Sequence, residues 1–238
     1  MDKLEQIEQQ FNFIYPELYK KLYEDGMLDW GEFGKNWHAI YWEKLKINPP
    51  LLLFYDDFEI MDFNHIVEEI EAFKDPDDFR QTKPEFNFVP FAQTGAGDLY
   101  VFQFDKTYDK NVPVSLVYHD YETVVMMAKN IQDFIFRGLL EAVVEIDQHT
   151  RIAEEDFKLN RSNILRTHKP YLSQTQFDVL AEIYSREIFE YTYKCYGFAC
   201  PEGSEYSAKG LVSRDELSII LKREINFKYL DKEFVYMG

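Results

Sequence analysis

Three stretches of this sequence hold residue types capable of chemistry. The first is Gly95-Ala96-Gly97, the kind of glycine-rich loop whose backbone N–H groups can cradle a phosphate. It lacks a third glycine and the Lys-Ser/Thr pair that touches phosphate and magnesium, and the residues after it read as a strand instead of a helix whose N-terminus would face the anion. The expectation is a tight strand-to-strand turn, in which Gly95 and Gly97 supply positive φ and Asp98 accepts from turn amides. The second stretch is His119-Asp120, which with Asp98 could bind a metal ion or exchange a proton. Neighbouring residues on a strand point to opposite faces, so His119 and Asp120 are expected to diverge, which favours a strand-end hydrogen bond over a metal. The third is an acidic belt, in which Asp56, Asp57, Glu59, Asp62, Glu68, Glu69, Glu71, Asp75, Asp77 and Asp78 stand against one base, Lys74. A catalytic carboxylate pair needs one desolvated member, and here the apolar residues that would desolvate it belong to the opposite face of a helix.

Other catalytic signatures are missing from the sequence. It holds no H-E-x-x-H and no G-x-S-x-G, and His38, His65, His149 and His168 are isolated. Cys195 and Cys200 are spaced C-x4-C, which suits neither a redox pair nor a zinc site, and read as ordinary thiols. No catalytic residue, no metal and no cofactor is expected. The 17 Tyr and 3 Trp residues fit a core, with a sugar- or peptide-binding surface as the alternative.

Charge narrows the partners. The 238 residues carry 43 Asp and Glu against 26 Lys and Arg, a net of −17. Residues 1–148 hold 29 acids and 13 bases, whereas residues 149–238 hold 14 and 13, so the excess lies almost wholly in the first part. Binding to nucleic acid or to an anionic membrane needs clustered bases that release counterions, and such a belt repels phosphate. A basic protein partner is favoured, and solubility alone is the competing explanation of the acid excess. No run approaches the roughly 18 apolar residues that cross a bilayer, and Met1 to Gln6 has no secretory pattern, so a cytoplasmic location is expected.

The elements that position these groups read as mixed helix and strand. Leu4, Ile7 and Phe11 share a helix face; a second helix starts near Pro16, buries Leu18, Tyr19, Leu22 and Tyr23, and ends at Asp25-Gly26. Leu51 to Tyr55 is expected to be a strand, and Asp62 or Asn64 should cap a helix that turns Ile66, Val67, Ile70 and Phe73 inward and Glu68, Glu69 and Glu71 outward. Period-two patterns mark strands at Phe86–Phe91, Leu99–Phe104 and Val112–His119. The second is apolar on both faces apart from Gln103, as a central strand covered on both sides would be. Asn130 and Asp133 open an amphipathic helix carrying Ile131 through Ile146. Beyond Gln148 the pattern is helical: Ser173/Gln176 and Ser213/Glu216 fit capping boxes, a stripe runs from Phe177 to Tyr191, and Ile225–Tyr229 with Phe234–Tyr236 suggest a closing hairpin. The expected division is a first domain over 1–148 and a mostly helical extension over 149–238 packed on it.

Tyr15-Pro16-Glu17-Leu18-Tyr19-Lys20-Lys21 resembles the LPxxYKxF opening of the SUKH superfamily, and Val89 to Tyr100 resembles its central PFAxxGxGDxY signature. Val114–His119 and the helix holding Ile131 to Ile135 are similar to the closing strand and helix of that superfamily, so the resemblance spans roughly residues 1–145. It departs at Tyr15, where leucine is usual, and at Asp25-Gly26, a shortened form of an asparagine-glycine-glycine element. The resemblance implies an α+β fold: N-terminal helices, a curved antiparallel sheet and a helix packed on it, with Gly95, Gly97 and Asp98 forming a structural turn. It further implies a non-catalytic binding module, either an immunity protein that occludes a cognate bacterial toxin or a regulator of the glucan-synthesis and killer-toxin-resistance type; the acidic belt leads to the expectation that such a toxin is basic. Partner contact is expected at Asp56, Asp57, Asp62, Glu68, Glu69 and Glu71. An enzyme acting on carbohydrate through a carboxylate pair is the rival from another class.

Overall fold

The computed structural model describes residues 2–108, 110–146, 154–194 and 204–238. Cys195, Cys200, His149 and the expected boundary at 148/149 lie outside the described residues. The fold is α+β. Two helices, α1 (Lys3–Phe11) and α2 (Glu17–Glu24), open the chain; Asp2 caps α1 through a reciprocal bond with Glu5, and Asn12 ends it in a left-handed conformation. A π-helical turn, His38–Trp42, runs into the short α3 (Glu43–Leu45). After β1 (Glu59–Ile60) and α4 (Phe63–Lys74), four antiparallel strands follow, β2 (Phe88–Gln93), β3 (Leu99–Gln103), β4 (Val114–Val117) and β5 (Thr123–Ala128). Then come α5 (Ile131–Glu141), α6 (Glu154–His168), a 3-10 turn Lys169–Tyr171, α7 (Gln174–Tyr184), the hairpin β6 (Phe189–Lys194) and β7 (Glu205–Gly210), α8 (Arg214–Glu224) and β8 (Glu233–Val235).

The main sheet has the order β1-β2-β3-β4-β5-β8 and is antiparallel throughout. All five residues of β3 are buried, as its two-sided apolar pattern requires. On one face, Phe102 meets Tyr15 and Tyr19, with ring centroids 6.0 and 5.0 Å away, and Tyr100 meets Phe134 of α5 at 5.1 Å. On the other face Phe73 of α4 and residues from the C-terminal strand pack against the start of β2. Phe88 of β2 lies 5.8 Å from Tyr236, Phe86 stacks on Phe234 at 5.6 Å, and Thr82 bridges Met237, so the C-terminal strand reaches the residues that lead into β2. A bulge at Phe91 accompanies Pro90, which has no N–H to give to the ladder.

Four sequence expectations are corrected. Leu51–Tyr55 is a chain of turns, with Tyr55 N–H donating to Leu52 O at 2.9 Å and Leu52 left-handed at φ 54°. An apolar run without a period is equally suited to a buried coil, and here it is wedged against α5, where Gly138 leaves room for the Leu52 side chain. The stripe from Phe177 stops at Tyr184, and Phe189–Lys194 is a strand whose alternate Phe189, Tyr191 and Tyr193 share a face. In place of a closing hairpin, a turn over Phe227–Lys232 delivers β8 to β5. Ser213 accepts from Glu216 N–H, but the Glu216 carboxylate is taken by Arg186 at 2.9 Å, so only half of that capping box forms; the Ser173/Gln176 box is complete.

The residues after 153 are fastened to the first part by buried polar contacts. His168 accepts from Leu52 N–H through Nε2 (3.2 Å), with Nδ1 3.0 Å from Ile164 O. Gln176 donates to Asp133 (2.7 Å) and Tyr184 to Leu139 O (2.7 Å). Val143 and Ile146 run beside β7 through Leu211 N–H to Val143 O and Ile146 N–H to Lys209 O. At Gly210 an added Cβ would stand 2.2 Å from Val144 O. Gly210→Ala should therefore separate these segments and cost about 2–4 kcal/mol in urea denaturation.

Burial depresses the His168 imidazole to about 4. Its neutral form therefore stabilises the fold fully above the ordinary histidine value of 6.5, and that contribution is lost as pH falls toward 4. Burial raises Asp133 and has the opposite sign, so the comparison must be made against a His168 variant. Between about pH 7 and pH 4 the native chain should lose roughly 3 kcal/mol more stability than His168→Gln, as read from urea midpoints at each pH.

Candidate functional site

Helix α4 sorts the acidic belt. Asp62, in extended conformation, caps it by accepting from Asn64 N–H (2.9 Å) and His65 N–H (3.1 Å). Ile66, Ile70 and Phe73 are buried, so the helical period places Glu68 and Glu71 on the exposed side. Glu69, on the flank, binds Arg80 Nη1 at 2.7 Å. Arg80 is 6% exposed, lies 4.4 Å from the centre of the Phe73 ring and grips Asp78 through Nε (2.8 Å) and Nη2 (3.1 Å). The guanidinium holds the Asp78 carboxyl below its ordinary range. Asp75 accepts from Asp77 N–H. Glu69 and Asp78 are thus internal partners of one cation, while Glu68 and Glu71 face outward, Glu71 3.4 Å from Gln10 Nε2.

Asp56 and Asp57 sit in the loop before β1. Because β1 pairs with β2 through Glu59 opposite Gln93, this loop lies beside the β2–β3 turn. Partial desolvation, then the charges of Asp98 and Glu141, raise the Asp57 carboxyl, while a hydrogen bond from Gly95 N–H works in the opposite direction. Beneath it Tyr100 donates to Asp57 O (3.0 Å), Tyr55 donates to Glu141 (2.8 Å), and Arg137 clamps Glu141 (2.8 Å) and Asp231 (2.7 Å).

Of the two turn glycines, Gly97 takes positive φ, at 96°, and Gly95 does not. Thr94 Oγ1 accepts from Asp98 N–H (3.0 Å), and the Asp98 carboxylate leaves the turn to accept from His119 N–H (2.9 Å) and to meet His119 Nδ1 (2.7 Å). This corrects the expectation that Asp98 serves its own turn. The expected divergence of His119 and Asp120 fails too, because β4 ends at Val117 and both residues lie in a bend where strand alternation no longer applies. Ligand atoms of Asp98, His119 and Asp120 all lie within 4.8 Å of one another, a grouping that could hold a metal ion. The observed contact is the hydrogen bond, which raises the His119 imidazole above its ordinary value.

The belt therefore divides into an α4 group, Asp62, Glu68 and Glu71, and a sheet-end group in which Asp56 and Asp57 are joined by Asp98 and Asp120. Sequence reasoning left out Arg80 and the tyrosines under Asp57, since no local pattern reveals a contact made across the fold. Beside Asp62 an open groove of about 950 Å³ runs between the segment after α2 and the start of α4, walled by Tyr23, Trp30, Phe33 and Phe63 and edged by Asp29 and Glu32.

Because the hydrogen bond to Asp98 raises the His119 imidazole, Asp98→Asn should lower the His119 value toward that of a free histidine. An NMR titration of the ring protons measures this; equal midpoints in the two proteins would remove the pair from the surface described here.

A family model described as the SMI1 / KNR4 family (SUKH-1) matches residues 2–137. No curated protein and no solved structure matches the chain. The matched span contains α1–α4, β1–β5, most of α5 and both acidic groups, and the residues from 138 onward lie outside it. With helices, antiparallel sheet and turn in the order the motifs imply, the chain belongs to the SMI1/KNR4 (SUKH-1) family.

Proposed function

We propose that the protein is a non-catalytic immunity-type module that neutralises a basic protein toxin by covering its working surface. Family membership supports the coarser part of this reading, since members are generally immunity or regulatory proteins without catalysis. The observation that carries the finer part is the sorting of charge. Glu69 and Asp78 pair with the buried Arg80, and Glu68, Glu71, Asp56 and Asp57 are exposed on a chain with a net charge of −17. Such a surface accelerates encounter with a basic cleft and sets complementary contacts within it. Of the six acids expected at the interface, Glu69 also pairs with Arg80 and Asp62 also caps α4.

A regulatory scaffold shares the same surface and differs only in its partner. The carbohydrate enzyme has less support. The groove brings carboxylates near aromatic walls, but Asp29 Oδ1 is engaged by Gly31 N–H and Asp62 caps α4, and both residues are exposed, where a general acid needs burial.

The test co-expresses the chain with the product of the gene beside its own. Restored growth is expected, together with slower association for Glu68→Lys/Glu71→Lys by about 10- to 100-fold at low ionic strength, measured by stopped flow. No protection, or an association rate indifferent to both salt and charge reversal, would remove the proposal.

A further inference from the structure

The groove beside Asp62 has features the acidic surface alone does not account for. Its walls are aromatic and held in place. Trp37 Nε1 donates to Trp30 O at 2.7 Å, Phe33 stacks on Trp37 at 5.9 Å and 15°, and Tyr23 meets Phe63 edge-on at 5.5 Å. Gly31, at φ 78°, lets the Tyr41 ring lie where a Cβ would be only 2.6 Å away, which folds the 31–42 segment back over itself. Phe33 remains 48% exposed at the mouth.

The edge is negative. Asp29 and Asp62 each accept backbone N–H groups through Oδ1, and exposed Glu32 adds a third carboxylate, with Lys3 the one cation among the described lining residues. Lys3 itself lies 5.3 Å from the centre of the Phe63 ring, so the wall already attracts an ammonium group. A volume of about 950 Å³ holds several side chains and suits a stretch of polypeptide. Sugars are the other ligands of aromatic clefts. The indole N–H of Trp30, however, is committed to Leu51 O and cannot serve a hydroxyl, and three carboxylates select for cations.

We propose that this groove docks a lysine- or arginine-bearing amphipathic segment of a partner protein, its apolar side against Trp30, Phe33 and Phe63 and its cations against Asp29, Glu32 and Asp62. The inference rests on the reading of the chain as a binding module and adds where, and by what chemistry, the partner is held.

All three tryptophans of the chain are Trp30, Trp37 and Trp42, so intrinsic tryptophan fluorescence reports this region alone. The full chain is titrated with a short, Trp-free amphipathic peptide of leucine and lysine, at low and high salt. A saturable change that weakens with salt is expected. Glu32→Lys and Phe33→Ala, both at exposed positions, should each weaken binding at least about tenfold. Glu190→Lys, the same charge change on β6, should alter it by less than about twofold. Four results would each overturn the proposal: no saturable change, an equal response to a leucine–glutamate peptide, equal weakening by Glu190→Lys, or a response to soluble chitooligosaccharides with none to the peptide. Failure here with toxin neutralisation intact would move the contact to another face, whereas peptide binding without neutralisation would remove the immunity reading and leave the groove.

Discussion

The structure depends on keeping β3 dry on both faces. Leu99–Gln103 has no face it can give to water, so each side of the sheet must be covered by something else. The N-terminal helices and α5 cover one side through Tyr15, Tyr19 and Phe134, whose rings surround Phe91, Phe102 and Tyr100. On the other side Phe73 and Tyr236 pack on Phe88 and Met237 bridges Thr82. The polar members of that buried side are paired with each other, Ser115 donating to Gln103 Oε1 at 3.0 Å and Gln103 Nε2 donating to Asp105. The last strand is therefore part of the closure of the first part, although it comes from the far end of the chain.

That closure determines where charge can go. Helix α4 lies against β2 with Phe73 on Phe88, and Arg80 is buried beneath the turn that follows it. A buried guanidinium must be neutralised, and it draws in Glu69 and Asp78. The remaining acids are left in water, on α4 and at the end of the sheet. Their mutual repulsion is the electrostatic cost of gathering so much negative charge on one part of the chain.

The legible parts of the sequence were those with a strict local signal. Asp62 and Asn130 cap the helices they precede, Pro16 stands at the start of α2, and the alternation around Leu99–Gln103 marks an interior strand. The parts that misled had signals shared by two structures. Leu51–Tyr55 is apolar without a period, and Phe189–Tyr193 continues a helical stripe by coincidence while also alternating as a strand. Strand β5, Thr123–Ala128, is apolar at nearly every position and sits between two readable elements, so no alternation announced it.

The sequence by itself determined the α+β composition, the buried central strand, the acidic first part and the turn at Gly97, because periodicity, caps and positive φ act over a few residues. Tertiary structure alone decided which acids pair with the buried Arg80 and which lie on the surface. It sent Glu69 to Arg80, turned Asp98 toward His119, set Asp57 beside the β2–β3 turn, and built a groove from Tyr23, Trp30 and Phe63. Each of these contacts joins residues from different elements, and a pairing of that kind exists only once burial of the sheet has fixed where every element lies.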